Sequence, residues 1–431
     1  MNLMFNNQTI IITLATICLL SYNWGGISVY SKKATTILFC SKILISFSIF
    51  YYFSTYLNLD KKNDLYVYYN QALKLYDSLN GNAKSVFSIL IGNTQEYKSI
   101  LNQLTSWKRD FDYGIPNDNQ TMIRIHLSLI LIFGKSILNH LLLFHLVSFT
   151  AILLLIKFLV KQLNIRKELL LILFILPSIT IWSNTTFKEN IALSIHTLMI
   201  FTLLKIDQNW SLKYLITLVV VCLIHIVIKS IYLIAILPYL LSFLIYKRTK
   251  IKYWLNRIII VVIIVTSVII SLSFNHSDIE KDEYKYGNKF NLFKMIEYKQ
   301  DDFFYEAYLR KAETLLKLTP LKIENLSFLT TLKESILNVF FTPSFFYPSK
   351  LIGIPFLIEN IILYLFIFIG FKNRKFQNLE LIDKLIFLSG ITICIFAGII
   401  TPVLGIVLKF KSIGYLYLLI GLLKINFQKE K

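Results

Sequence analysis

The sequence predicts an all-α protein: a polytopic transmembrane helical bundle of about eleven spans. Three observations carry that reading. Hydrophobic residues make up 55% of the 431-residue chain, and mean hydropathy is +0.61. Apolar runs close to the ~20 residues needed to cross hydrocarbon recur along the whole length. The runs are continuous, whereas the strands of a membrane β-barrel alternate apolar and polar over ~10 residues. Inside lipid each backbone N–H and C=O must be satisfied within its own segment, so continuous runs become helices.

The elements follow in order. Span one covers Gln8–Val29 and span two Ala34–Leu57, with Lys32 and Lys33 between them. The amino end lacks a basic region and a small-residue cleavage site, so it reads as a span and not as a signal peptide. A long polar segment, Asn58–Asn119, follows, and Thr121–Phe133 after it reads as a short amphipathic or re-entrant helix ended by Gly134. Span three is Ile137–Val160. Spans four and five, Leu169–Ile181 and Ile191–Leu204, flank a hairpin carrying Pro177, Trp182, Lys188 and Glu189. Span six, Leu212–Ile228, turns at Lys229 into span seven, Ile231–Tyr246. The most basic loop, Lys247–Lys252, leads to span eight, Ile258–Phe274. A second long polar segment contains a surface helix over Asp301–Leu318. Spans nine to eleven are Leu351–Phe371, Leu385–Thr401 and Ser412–Leu423. The whole forms a single integral membrane domain, 1–431, with extracytoplasmic segments at 58–136 and 275–350.

Charge sets the orientation. Lys and Arg total 45 against 25 acidic residues, a net charge of +20. Most basic residues of the short loops collect on alternate loops, which the positive-inside rule assigns to the cytoplasm together with the carboxyl end. The protein is then a multi-pass protein of the cytoplasmic (inner) membrane, and both long segments face outward. Lys188, Lys229, Lys409 and Lys411 are exceptions, because each falls on a short outward turn. A lysine there either snorkels to headgroups alone or joins others around an anionic ligand, an anionic lipid among them.

The residues exclude several chemistries. Walker A, dinucleotide-turn, His-Glu-x-x-His and Gly-x-Ser-x-Gly patterns are absent. The four cysteines, Cys18, Cys40, Cys222 and Cys394, are far apart inside apolar runs, against both a disulfide framework and a zinc site. Nothing suggests a nucleic-acid partner or a cofactor. Asp60 and Asp64 stand just beyond span two, followed by a helix with Tyr68 on one face. Such carboxylates act as a general base or hold a divalent cation; alternatively Asp64 caps the helix. Glu359 lies within span nine, where an ionised carboxylate needs a partner.

The order of these features resembles GT-C glycosyltransferases and the polytopic O-antigen and capsule polysaccharide polymerases. The resemblance rests on Asp64-Leu65-Tyr66-Val67-Tyr68 after an early span, Phe133-Gly134 before the next, and the Pro177-Ser178, Trp182-Ser183, Lys188-Glu189 hairpin. It continues with Ile228-Lys229-Ser230, Glu359-Asn360, and Thr401–Lys411, where Lys409 stands in place of an arginine. It covers roughly Leu44–Leu423, in short degenerate motifs. Span one is extra to the usual GT-C start. The resemblance implies a GT-C-like layout and a glycosyltransferase that polymerises lipid-diphosphate-linked oligosaccharide units. It implies catalytic Asp64 and Glu189, with Asp60, Tyr68, Trp182, Lys188, Lys229, Glu359, Lys409 and Lys411 binding a polyprenyl-diphosphate-linked glycan. A chain-length regulator protein is the expected partner. A GT-C transferase using a lipid-phosphate sugar and a lipid-linked oligosaccharide flippase are the alternatives. A flippase would be expected to show internal repeats and mid-membrane charges.

Overall fold

The computed structural model describes residues 27–55, 64–107, 117–249, 292–309, 311–312, 314–322, 327–343, 353–372 and 380–427. Spans one and eight, Asp60 and the end of the Lys247–Lys252 loop lie outside them or nearly so. The described chain is helical: α1 Lys32–Thr55, α2 Asp64–Ser78, α3 Ala83–Leu90, α4 Asp118–Phe133, α5 Ile137–Leu163, α6 Pro177–Ser183, α7 Lys188–Gln208, α8 Leu212–Thr249, α9 Leu292–Leu309, α10 Ser327–Phe341, α11 Ile354–Lys372, α12 Leu381–Ile400 and α13 Leu404–Phe427. Among the described residues six helices are long and apolar enough to cross a membrane: α5, α7, α8, α11, α12 and α13.

The expected surface helix over Asp301–Leu318 is instead α9, Leu292–Leu309, with non-helical chain over 314–322, and three further elements differ from, or sharpen, the expected spans. The stretch Leu169–Ile181 is broken. Pro177 forces Leu176 to extended geometry (φ −58°, ψ 125°), so a short helix ends at Ile175 and α6 restarts at Pro177. The last span begins at Leu404, eight residues before Ser412, so Lys409 and Lys411 lie on helix and not in a turn. Finally, α8 doubles back. A straight helix of its 38 residues would run ~57 Å. Yet Lys247, near its end, donates to Asp207, five residues before its start, at 3.2 Å. The reversal sits at Lys229, whose backbone is non-helical (φ −165°, ψ 74°).

The bundle has two ends. At one, Lys409 of α13 meets Asp64 of α2, and the backbone of the second long segment pairs with the α12–α13 turn (Leu316 N–H to the Pro402 carbonyl, 2.7 Å). At the other lie the Lys247–Asp207 and Lys424–Asp383 pairs. The two long segments therefore share an end. The main apolar core joins α1, α5, α7, α8, α12 and α13 around residues such as Phe149, Ile200 and Leu416. A second core, with Leu65, Ala72, Met122 and Trp182, binds α2 to α4 in a layer over the bundle. Buried Lys42 ties α1 to the middle, donating to Ser148 Oγ (3.3 Å) and Ser183 Oγ (3.1 Å).

Candidate functional site

The hairpin between α6 and α7 is fixed by its own amides and hydroxyls. Asn190 Nδ2 donates to the carbonyls of Ser183 (2.7 Å) and Thr185 (2.8 Å), and Thr186 Oγ1 donates to the Leu65 carbonyl (3.0 Å). These bonds hold the first turn of α7 against the first turn of α2. Lys188 and Glu189 thereby face Asp64.

Three lysines from three helices converge there. Lys229, at the reversal of α8, bonds Glu189 Oε1. Lys409 Nζ lies 3.1 Å from Glu189 Oε2 and 2.7 Å from Asp64 Oδ2. Lys188 Nζ lies 2.9 Å from Asp118 Oδ2 and 2.5 Å from Asn119 Oδ1, which also accepts from the Tyr68 hydroxyl at 3.0 Å. Each ammonium also lies near an aromatic face: Lys229 is 4.0 Å from the centre of the Phe410 ring, Lys409 4.9 Å from Phe187, and Lys188 5.0 Å from Tyr68. Three cations face three carboxylates, so the resting cluster is close to neutral.

The cluster is closed at Glu189 and open at Asp64. Glu189 is fully buried, whereas the Asp64 side chain is 42% exposed. Burial alone would raise the Asp64 pKa, but Lys409, and behind it Lys188 and Lys229, hold it well below the usual carboxylate range. Burial, with Asp64 and Asp118 nearby, pushes the Tyr68 phenol well above its ordinary value. At rest Tyr68 is a neutral donor and Asp64 an anion.

Lys411 and Glu359 belong to a different place. Two residues along a helix is ~200° around it, so Lys411 points away from Lys409. Its ammonium donates to the carbonyls of Val339 (3.2 Å) and Thr342 (3.3 Å) and to Asn360 Oδ1 (3.3 Å), and lies 3.4 Å from the Tyr415 hydroxyl. Glu359 accepts from Ser178 N–H at 2.9 Å and from Ser178 Oγ. This second polar station joins α6, α10, α11 and α13. The structure thus brings together Asp64, Tyr68, Lys188, Glu189, Lys229 and Lys409, with Lys411 and Glu359 apart. Trp182 is buried against Phe187, ring centres 5.5 Å apart, beneath the cluster. Asp60 lies outside the described residues, and so does any cation site it would form with Asp64. Among the described residues no group of three or more metal-ligating side chains is assembled.

Sequence reasoning missed Asp118, Asn119, Phe187 and Phe410. A charge count was the available signal: the lysines on short turns outnumber the carboxylates assigned to them, and Asp118 opens α4 in the same long polar segment as Asp64. No family model, curated protein or solved structure matches this chain.

Proposed function

We propose that this protein is a bacterial surface-polysaccharide polymerase, joining lipid-diphosphate-linked oligosaccharide units at the outer face of the cytoplasmic membrane. The observation that supports it is the convergence of Lys188, Lys229 and Lys409, from three helices, on three carboxylates, Asp64, Asp118 and Glu189, at an opening of the bundle. In this reaction an acceptor hydroxyl attacks the anomeric carbon. The bond from that carbon to the diphosphate oxygen breaks, and the lipid diphosphate leaves with the electron pair. The lysines stabilise its charge as point donors; a well-placed donor of this kind is worth about 3–4 kcal/mol. The hydroxyl proton goes to a carboxylate, Asp64 or Glu189, freed when Lys409 turns to the diphosphate.

The test is replacement of Lys188, Lys229 and Lys409 singly by Gln, which keeps length and removes charge. Each variant is expected to lose long-chain polymer, retain single-unit glycan, and combine less than additively. Lys409→Arg is expected to retain more polymer than Lys409→Gln. Full-length polymer in all three Gln variants refutes the reading. A transferase using a lipid-phosphate sugar is favoured by one observation, the half-exposed Asp64 carboxylate. It predicts loss of the single-unit glycan as well.

A further inference from the structure

Directly behind the Lys229–Glu189 pair lies a group of rings from α7, α8 and α13. His196 and His225 meet edge to face with centroids 4.3 Å apart. Tyr232 lies parallel to His225 at 6.1 Å and meets the edge of Phe410 at 6.0 Å. Its ring centre is 5.5 Å from the Lys229 ammonium. Through Lys229, which bonds Glu189 Oε1, the ring adjoins the Glu189 carboxylate.

At the front, Glu189 Oε1 is bonded by Lys229 while Oε2 lies 3.1 Å from Lys409 without a hydrogen bond; at the back several polar atoms have no partner among the described residues. The Tyr232 hydroxyl, both nitrogens of His225 and Nε2 of His196 are buried and have no hydrogen-bond partner among the described residues. Buried phenols nearly always find one, so an unused donor beside an ion pair marks a partner held for another arrangement of that pair. The ion pair itself supplies the reason. An ammonium has three N–H donors, yet a multiply charged phosphate competes with Glu189 for Lys229 and draws it off the carboxylate. When an anion draws Lys229 forward, Glu189 loses the bond on Oε1, the one hydrogen bond its carboxylate accepts among the described residues. A fully buried carboxylate oxygen left bare is costly.

We propose that Tyr232 is the reserve donor of this site: when a phosphate or diphosphate group takes Lys229, the Tyr232 hydroxyl donates to the vacated Glu189 oxygen. This rests on the reading of the cluster as a site for an anionic group. Tyr232 is a positioning residue here. It compensates the carboxylate and so lets the lysine leave, and the His225 and Phe410 rings set the plane from which its hydroxyl reaches.

The experiment uses the full chain in detergent or nanodiscs, titrated with inorganic pyrophosphate, as wild type and as Tyr232→Phe. In the resting state the substitution removes no hydrogen bond. Its unfolding temperature is therefore expected to equal or exceed that of wild type, while pyrophosphate affinity falls about five- to tenfold. A residue that merely packs would move neither, and one that is hydrogen-bonded at rest would lower the unfolding temperature. Equal affinity in the variant overturns the inference, as does a clear loss of thermal stability or failure to fold. Wild type that binds no pyrophosphate overturns the anion-site reading along with it, which separates the two failures.

Discussion

At the scale of residues, Asp64 shows how an ion pair decides what a carboxylate does. Lys409 holds it ionised at rest, so it takes no proton until that lysine is drawn away. Its depressed folded pKa fixes the sign of its pH dependence. The Asp64 contribution to stability is complete above its unfolded value of about 4 and is lost only as pH falls through the much lower folded value. Asp64→Asn is therefore expected to be slightly less stable than wild type above about pH 4, with the gap closing only in strong acid. The effect is small because the group is half-exposed and solvent screens it. Thermal unfolding followed across pH checks this, and glycan output from the same variant is expected to fall sharply. The grouping of Lys188, Glu189 and Lys229 was legible because charges on short turns between apolar runs defy insertion bias, and Asp64 because it stands where an early span ends. Lys411 was not separable from Lys409 while both were taken as turn residues; once α13 starts at Leu404, helix periodicity puts them on opposite sides.

At the scale of elements, the reversal at Lys229 was readable from the charge between two apolar runs. The break before α6 was carried by Pro177, yet the expectation of a full span ignored that a proline fixes its predecessor. The helix crossings were not readable, because small residues in apolar runs do not announce which of them meet. α12 and α13 approach closely at Gly390 and Gly414: a Cβ on Gly414 would fall 2.5 Å from Cys394 Sγ and 2.9 Å from the Gly390 carbonyl. Gly405, nearer the start of α13, has nothing within 4 Å of such a Cβ. Gly414→Ala is accordingly expected to cost about 1–3 kcal/mol through overpacking. Gly405→Ala is expected to be neutral or mildly stabilising, since alanine is the better helix former. Detergent-solubilised thermal unfolding of the two variants distinguishes them, and equal stability contradicts the described crossing.

At the scale of the whole molecule, the two long polar segments meet at one end of the bundle, so a single compartment must receive both. The chain reaches the other end at the Asp207–Leu212 turn, where Lys247 returns to Asp207, and at Lys424 beside Asp383. Basic residues of the short loops gather at that second end, and the positive-inside rule predicts that this end stays in the cytoplasm. Reporter fusions after Gly81 and Lys311 are therefore expected to report one compartment, the outside, and fusions after Asn209 and Arg374 the cytoplasm. The two pairs test different things. Gly81 and Lys311 must agree with each other whatever the orientation, because the α2–α4 layer and the second segment are tied to the same end through Asp64–Lys409 and Leu316–Pro402. Disagreement between them would contradict the fold. Agreement, with a cytoplasmic signal at both, would preserve the fold and invert the membrane. The lysine cluster would then face the cytoplasm, and a polymerase acting on the outer face would be ruled out.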